Sequence, residues 1–378
     1  MMHPSAPTDA RPAGASSGTP DLPGPPVTEP EPGGSRMVKV AFFVALSFIL
    51  LLGGGAMGGL FYLQSRLDAN IERFPDPFAA LAERPAPAPR TAADDDGAAA
   101  RSPVTFLVLG SDSRISAGEP EEWELGAQRT DAIMLVQLSG DRKSVTAMSI
   151  PRDSWVEIPG HGHHKLNAAF SFGGPALTVA TLESLTGVRI DHVAIADFIS
   201  FAAMTDEVGG VEIRLAQPLQ VGDTVLEPGE RVLDGEQALQ YVRERYTLPG
   251  GDFDRVQRQQ NWMRSILDAT ISRDVLTDPA QLWAVLESFS QSLGVEETLT
   301  IGEMRNLAFS ARELRKNGLS FITAPYEGTG WSPDGRQSIV VLDDAPFAAV
   351  SAAFADGTIH EFLAANPDVA PRLGAMTG

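Results

Sequence analysis

Hydrophobic and polar positions along the chain predict one folded domain that begins near Val104 and ends near residue 350. Short, apolar, β-branched runs bounded by turn residues predict strands, and apolar residues at helical spacing predict helices. The predicted strands are Val104–Leu109, Ala132–Leu138, Ser144–Ile150, Val193–Ala196, Val211–Leu215, Ser320–Thr323 and Ile339–Leu342. The predicted helices are Pro175–Leu185, Phe198–Val208, Asp234–Val242 and Arg255–Thr270, with two more within 279–292 and 302–316.

Because strands and helices mix along this whole stretch, the pattern favours an α/β fold over residues 103–350, an α-β-α sandwich with a mixed central sheet. The turn signal Ser139-Gly140-Asp141 predicts a hairpin between the second and third strands. Residues 351–378 are expected to form a C-terminal tail with little structure after Asp356.

A long uncharged segment precedes this domain. Val40–Leu63 contains 24 residues without a charge, about 36 Å of helix, which predicts one transmembrane helix over 40–63. Arg36 and Lys39 stand directly before it, so residues 1–39 are expected to be a cytoplasmic tail and the α/β domain to lie outside the cell. The tail is expected to be disordered because it is rich in proline and polar residues. The alternative is a buried helix of a soluble protein. Residues 64–102 are interpreted as a juxtamembrane segment and a Pro/Ala-rich linker.

Composition narrows the choice of ligands. The formal net charge is −20 and the chain has no cysteine. An acidic chain is a poor non-specific ligand for nucleic acid, and the absence of cysteine excludes disulfides and thiolate metal sites. An anionic ligand must therefore meet a local cluster of positive charge.

Three short charged segments interrupt the apolar pattern at strand ends. The first follows the first strand and contains Asp112, at a position where α/β folds place ligand contacts. In the second, Arg129 and Asp131 are two residues apart and share one face of a strand. In the third, Arg152 ends a strand, and Lys165 follows a short loop. An ordinary Asx turn, a surface ion pair and an exposed arginine are the respective structural alternatives.

The fourth segment is the most informative. Arg243 and Arg245 share a face if the chain leaves its helix there, and Arg255, Arg258 and Gln259 lie on one face of the next helix. Forked guanidinium donors match phosphate oxygens, so these residues predict a diphosphate pocket. A solvated helix face is the alternative. The sequence His161-Gly162-His163-His164 is interpreted as a solvent-exposed loop and not as a metal site.

Taken in order, these segments resemble the LytR–CpsA–Psr family of cell-wall glycopolymer transferases. The resemblance is strong over about 103–275 and weaker over 275–350. It rests on Phe106-Leu107-Val108-Leu109-Gly110-Ser111-Asp112-Ser113-Arg114, Arg129-Thr130-Asp131, Ser149-Ile150-Pro151-Arg152-Asp153, Lys165-Leu166-Asn167, Gly209-Gly210-Val211, Arg243-Glu244-Arg245 and Arg255-Val256-Gln257-Arg258-Gln259-Gln260.

The resemblance implies an enzyme that moves a glycopolymer from a polyprenyl-diphosphate carrier to peptidoglycan and forms a phosphodiester link. It also implies a divalent metal, Mg²⁺ or Mn²⁺, held by Asp112 and Asp131. Asp112 is in addition our candidate for the carboxylate that takes the proton of the attacking hydroxyl. The residues implied to bind the diphosphate are Arg129, Arg152, Arg243, Arg245 and Arg255, with Gln259 and Arg258 beside them and Lys165 in a family motif. A hydrolase acting on the same lipid and a non-catalytic lipid-carrier binding module remain alternatives, whereas a transcriptional regulator lacks a DNA-binding helix pattern.

Overall fold

A computed structural model describes residues 65–90, 101–111, 130, 132–222, 224–243, 252–270, 283–284, 287–288, 290–291, 293–312 and 314–372. Every described residue belongs to one unit of the chain, Phe61–Gly378. Among the described residues, no helix combines the length and apolar character that a bilayer span requires. The predicted span at 40–63 and the tail before it lie outside these residues, so both stay predictions.

The structure has strands and helices at positions close to those that the pattern predicted, together with strands and helices that it did not predict. The strands are β1 Glu72–Phe74, β2 Val104–Ser111, β3 Ala132–Leu138, β4 Val145–Ser149, β5 Trp155–Ile158, β6 Gly162–Lys165, β7 His192–Asp197, β8 Val211–Leu215, β9 Leu219–Val221, β10 Thr224–Leu226, β11 Gly229–Leu233, β12 Leu293–Glu296, β13 Leu319–Thr323, β14 Tyr326–Trp331 and β15 Ser338–Leu342. The helices are α1 Ala168–Thr186, α2 Phe198–Glu207, α3 Gly235–Arg243, α4 Asp252–Thr270, α5 Ile301–Ser310, α6 Asp344–Ala355 and α7 Ile359–Ala365.

The main sheet has seven strands in the order β1-β12-β7-β2-β3-β4-β13. Strand β2 is parallel to β7 and antiparallel to β3, and β3 and β4 form the predicted antiparallel hairpin. Strand β13 is parallel to β4 and β1 to β12, whereas β12 is antiparallel to β7. The sheet is therefore mixed, as predicted.

Alternate residues of β2 send their side chains to opposite faces of the sheet, and each face is covered. Leu107 and Leu109 belong to a core that also contains residues of α1, α6 and α7. Val108 packs in a cluster with Met263 of α4, and Phe106 in a cluster with residues of α5. Because both faces are buried under helices, the fold is the predicted α-β-α sandwich.

Glycine and proline determine the limits of α1. The helix contains a kink at Gly173 and Gly174, where Gly174 has a φ of 61°, and Pro175 starts the second segment. Proline suits the first turn of a helix because its missing N–H has no partner there. The C-cap is Gly187, with a φ of 67°. The predicted helix at Pro175–Leu185 is thus the second segment of a longer one.

The segment interpreted as a linker belongs in part to the folded domain, which corrects that boundary. Strand β1 pairs with β12, more than 200 residues later in the chain, and Phe74 is buried in the main core. Arg84 forms an ion pair of 2.7 Å with the buried carboxylate of Glu183. A strand of three residues is too short to show a period in the sequence, so its long-range partner was not predictable.

The predicted boundary at residue 350 and the weakly structured tail after Asp356 are wrong. Helix α6 crosses residue 350, and α7 follows it with Ile359 and Leu363 buried. The amide of Thr323 in β13 donates to the carbonyl of Pro371 at 2.8 Å. An alanine-rich helix carries a weak hydrophobic pattern, and its burial comes from a distant part of the chain.

Candidate functional site

The strand ends at which the sequence predicted a site lie together along one edge of the main sheet, the edge that the ends of its central strands form. Gly110 near the end of β2 lies opposite both Ala132, which begins β3, and Ala196 near the end of β7. Met134 of β3 lies opposite Ser149, which ends β4. The carboxyl ends of β2, β4 and β7 and the amino end of β3 therefore meet at this edge, called the catalytic edge below.

Several predicted site residues follow directly on described residues of this edge. Ser111 ends β2 and precedes Asp112, and buried Thr130 stands between Arg129 and Asp131. Asp112, Arg129 and Asp131 themselves lie outside the described residues, so their predicted roles as metal ligands and phosphate ligands remain predictions. Both proposed metal ligands are carboxylates, the oxygen donors that Mg²⁺ prefers.

The described part of the site centres on Arg152, which follows β4. Its side chain is 12% exposed, and its Nε lies 3.8 Å from Oδ2 of Asp153. The other oxygen of Asp153 lies 3.0 Å from Nζ of Lys165 at the end of β6, and the amide of Asn167 donates to the carbonyl of Arg152 at 3.0 Å. Arg152 and Lys165, which belong to separate motifs, thus both approach the carboxylate of Asp153. Asp153 links them, a role that the sequence interpretation did not assign.

Lys165 and the histidines before it belong to a hairpin, which corrects the expected loop. Strands β5 and β6 are antiparallel, with His163 opposite Glu157 and Lys165 opposite Trp155. His161 is exposed and its ring stacks on that of Phe172, at 4.6 Å between centroids. The turn signal Pro159-Gly160 was present in the sequence and could have predicted this hairpin.

Arg258 occupies a different environment from the one that the helix-face pattern predicted. Only 2% of it is exposed, and its Nη1 donates to the carbonyl of Tyr241 at 3.1 Å. Its guanidinium also lies 4.7 Å from the centre of the Tyr241 ring. Tyr241 is in the last turn of α3, which ends at Arg243, so Arg258 fixes the position of that helix end. A cation at a helix C-terminus is electrostatically favourable.

The remaining arginines of this group are only partly described. Arg243 is half-buried at the end of α3, Arg245 lies outside the described residues, and Arg255 lies in α4 without a described side chain. Their predicted convergence on one diphosphate therefore stays a prediction. Asn261, which no motif indicated, donates to the hydroxyl of Tyr241 at 3.3 Å and supports the same helix end.

Gln259 lies at the catalytic edge, in a crevice between α4 and the sheet. The residues lining this crevice are Val108, Gly110, Ala132, Met134, Ala196, Gln259, Trp262 and Met263. Its free space is about 20 Å³, about the room that one water molecule needs. The indole N–H of Trp262 is bound to the hydroxyl of Thr205 at 2.8 Å. This crevice supplies a mostly apolar surface beside the site, and its free space is too small for a lipid chain.

Comparison with known proteins agrees with this fold and edge. The model of the LytR–CpsA–Psr family matches residues 81–346. The cell wall biosynthesis protein LcpA of Corynebacterium glutamicum is 30% identical over 286 residues, which are 66% of this chain and 55% of that protein. Because the family model covers most of the chain, the protein belongs to the LytR–CpsA–Psr family. The chain spans about half the length of the curated relatives it matches.

Solved structures share the fold. A structure described as TagT bound to LI-WTA has a TM-score of 0.53 and 27% identity, over 68% of this chain and 90% of that one. A LytR-Csp2A-Psr enzyme from Actinomyces oris has a TM-score of 0.56 and 22% identity, over 75% of this chain and 96% of that one. The second similarity concerns the fold alone.

Proposed function

We propose that this protein transfers a glycopolymer from a polyprenyl-diphosphate carrier to peptidoglycan at the catalytic edge. The observation that carries the proposal is the register of the sheet, which brings the ends of β2, β4 and β7 and the start of β3 to one place. The end of β2, the start of β3 and the end of β4 each adjoin a charged motif of the family. The name of the relative LcpA and the ligand named with TagT support a role in building the cell wall.

The reaction would be a phosphoryl-group displacement. A sugar hydroxyl of the acceptor attacks the phosphorus on the glycan side of the diphosphate, and the bond to the bridging oxygen breaks. Polyprenyl phosphate leaves with the electron pair, and a phosphodiester to the acceptor forms. The hydroxyl proton passes to a nearby carboxylate, for which Asp112 is the candidate. Such chemistry depends mainly on positioning and on stabilising charge that develops on phosphate oxygens.

Different residues would bind the phosphates, hold the metal and anchor the protein. Arg152 offers forked donors to phosphate oxygens, and the ion pair between Asp153 and Lys165 holds a second cation beside it. Arg243, Arg245, Arg129 and Arg255 would complete the diphosphate pocket. Asp112 and Asp131 would hold Mg²⁺ or Mn²⁺, which supplies positive charge to the diphosphate when it is bound. Residues 40–63 would anchor the protein in the cell membrane, with the catalytic domain outside.

The test uses the purified full-length chain in detergent with a synthetic polyprenyl-diphosphate glycan, a peptidoglycan oligomer and Mg²⁺, and detects products by mass spectrometry. Wild type is expected to form a phosphodiester-linked product, and Arg152→Ala to lose at least about 100-fold in rate, as for the removal of a transition-state donor. Arg336→Ala is the matched control because Arg336 is 84% exposed on another hairpin.

Three results would count against the proposal. One is the absence of linked product in the presence of metal, acceptor and donor. Another is release of the phosphorylated glycan at the same rate with and without acceptor, which identifies a hydrolase. The third is full activity of Arg152→Ala under conditions in which Arg336→Ala is also active.

A further inference from the structure

A pocket at the opposite edge of the main sheet contains three arginines, although the chain as a whole is strongly acidic. Val104, which begins β2, lies opposite Leu138, which ends β3, and His192 begins the parallel neighbour β7. The pocket opens beside these ends, has a volume of about 440 Å³ and is lined by Arg101, Arg142, His192, Glu303, Asn306, Leu307, Phe309, Ser310 and Arg312. Strand β2 has eight residues, so the pocket lies roughly 25 Å from the catalytic edge.

Arg142 is held in this pocket by an unusual backbone. It lies in the turn between β3 and β4 with a φ of 64°, and among the described residues no other residue except glycine has a positive φ. Glycine would occupy this conformation at a lower steric cost. Its Nη1 donates to the carbonyls of Ser102 at 3.1 Å and Ser139 at 2.7 Å. Arg142 thus keeps a sterically unfavourable backbone conformation, and these two hydrogen bonds hold its side chain in place.

The buried guanidinium of Arg142 retains an unused donor. The residue is 8% exposed, and its Nε has no hydrogen-bond partner within the described part of the chain. Burial and then the like charge of Arg101 lower the pKa of Arg142, whereas the charge of Asp141 raises it. An anion bound beside Arg142 would stabilise its charged form.

The other side of the pocket adds a third cation and an apolar surface. Arg312 lies with its guanidinium 4.8 Å from the centre of the Phe309 ring, and Phe309 is 69% exposed. The carboxylate of Glu303 accepts from the amide and the hydroxyl of Thr300, at 2.8 and 2.9 Å, in a capping box at the start of α5. The backbone hydrogen bond from Thr300 lowers the pKa of Glu303. Glu303, the acid among the described residues that line the pocket, is therefore engaged by its own helix.

We propose that this pocket binds a phosphate-bearing ligand, with Arg142 and Arg312 contacting phosphate oxygens and Phe309 contacting the adjoining sugar or glycerol group. Guanidinium forks match phosphate oxygens, and the side chains of Asn306 and Ser310 offer further donors. The pocket size is that of a small-molecule site. The ligand is a phosphate monoester or diester, from a phosphorylated sugar or from a phospholipid headgroup. The proposal does not depend on the transfer reaction.

The test measures binding of glucose 1-phosphate by calorimetry to the full-length chain in micelles of a sugar-based detergent, which contain no phosphate. Arg152→Ala serves as the background, so that the proposed donor site contributes little. Arg142→Gly and Arg312→Ala are each expected to weaken binding at least about tenfold, the loss for one charge-assisted hydrogen bond. Arg336→Ala removes one exposed charge elsewhere and should leave binding unchanged. Glycine suits the backbone at residue 142, and residue 312 is exposed, so both variants should fold.

Nanodiscs that contain phosphatidylglycerol separate the two ligand sources. If the lipid headgroup is the occupant, this lipid weakens the apparent affinity for glucose 1-phosphate relative to micelles, and Arg142→Gly abolishes that competition. If a soluble sugar phosphate is the occupant, the affinity is the same in nanodiscs and in micelles. The proposal is overturned if no saturable binding occurs in micelles, or if both arginine variants bind within about twofold of their parent.

Discussion

Arg258 donates a hydrogen bond to the carbonyl of Tyr241, and the two residues also stack, with the guanidinium 4.7 Å from the ring centre. The sequence placed Arg258 among the phosphate ligands, on one helix face with Gln259. In the structure it is buried and secures the end of α3, where Arg243 lies. Arg258 therefore positions the helix that carries Arg243. Substitutions at the two positions should differ in their effects on stability and on transfer.

Replacing Arg258 should reduce stability more than replacing Arg243. Arg258→Ala removes a buried charge-assisted hydrogen bond and leaves a cavity, so we expect the free energy of unfolding to fall by about 2–4 kcal/mol. Arg243→Ala, at a half-buried helix end, should lower it by about 1 kcal/mol or less and abolish transfer. Urea denaturation and the transfer assay measure the two effects. Equal stability of the two variants would contradict the positioning role of Arg258.

The ion pair between Asp153 and Lys165 predicts energetic coupling at the catalytic edge. If Asp153 orients Lys165, Asp153→Asn and Lys165→Met should each raise the KM for the lipid donor about twofold to fivefold, as expected for a partly exposed pair. The double variant should be no worse than either single variant. Asp334→Asn is a matched control because it removes an exposed acid from another ion pair. Additive effects in the double variant would show that the two residues act independently.

The C-terminal helix α7 should contribute to the stability of the whole domain. Leu363 is 2% exposed in the main core, so Leu363→Ala should lower the free energy of unfolding by about 2–4 kcal/mol. Glu361 is exposed in the same helix, and Glu361→Ala should change it by about 0.5 kcal/mol or less. Urea denaturation of the two variants measures both changes in the free energy of unfolding. If both retain the stability of wild type, α7 is not part of the cooperative unit.

Asp191 predicts a pH dependence of stability. Burial raises the pKa of this carboxyl above its ordinary value of 3.8, while its Oδ2 accepts from the amide of Thr105 at 2.9 Å. The native state therefore binds the proton more tightly than the unfolded state does. The stability that this group contributes is present below the ordinary pKa and is lost as pH rises through the native pKa.

Asp191→Asn removes this titration and keeps an acceptor for the amide of Thr105. Relative to the variant, wild type should lose stability as pH rises from about 4 and then remain at a constant difference. Denaturation midpoints at a series of pH values measure this. Parallel pH profiles of wild type and Asp191→Asn would contradict the raised pKa.

The sequence by itself determined most secondary structure of the domain and the order of the charged motifs. The runs at Val104–Leu109 and Ala132–Leu138 became neighbouring strands because a buried strand needs a continuous apolar stretch, which local composition records. Gly187 ends α1 because a left-handed residue stops a helix, and that preference is local too. The motifs of Arg152 and Lys165 were identified from the sequence, but their link through Asp153 and the hairpin that presents Lys165 were not.

The tertiary structure alone decided which side chains are buried and which distant segments join the core. Strand β1 and helix α7 carry too little pattern of their own, and their places depend on β12 and on the main core far away in the chain. The environments of Arg258 and Arg142 were also decided by the tertiary structure. The sequence gives the number of charges but does not show whether a guanidinium faces a ligand, a carbonyl or another cation. Burial and long-range contact are properties of the packed chain, and residue type constrains them only weakly.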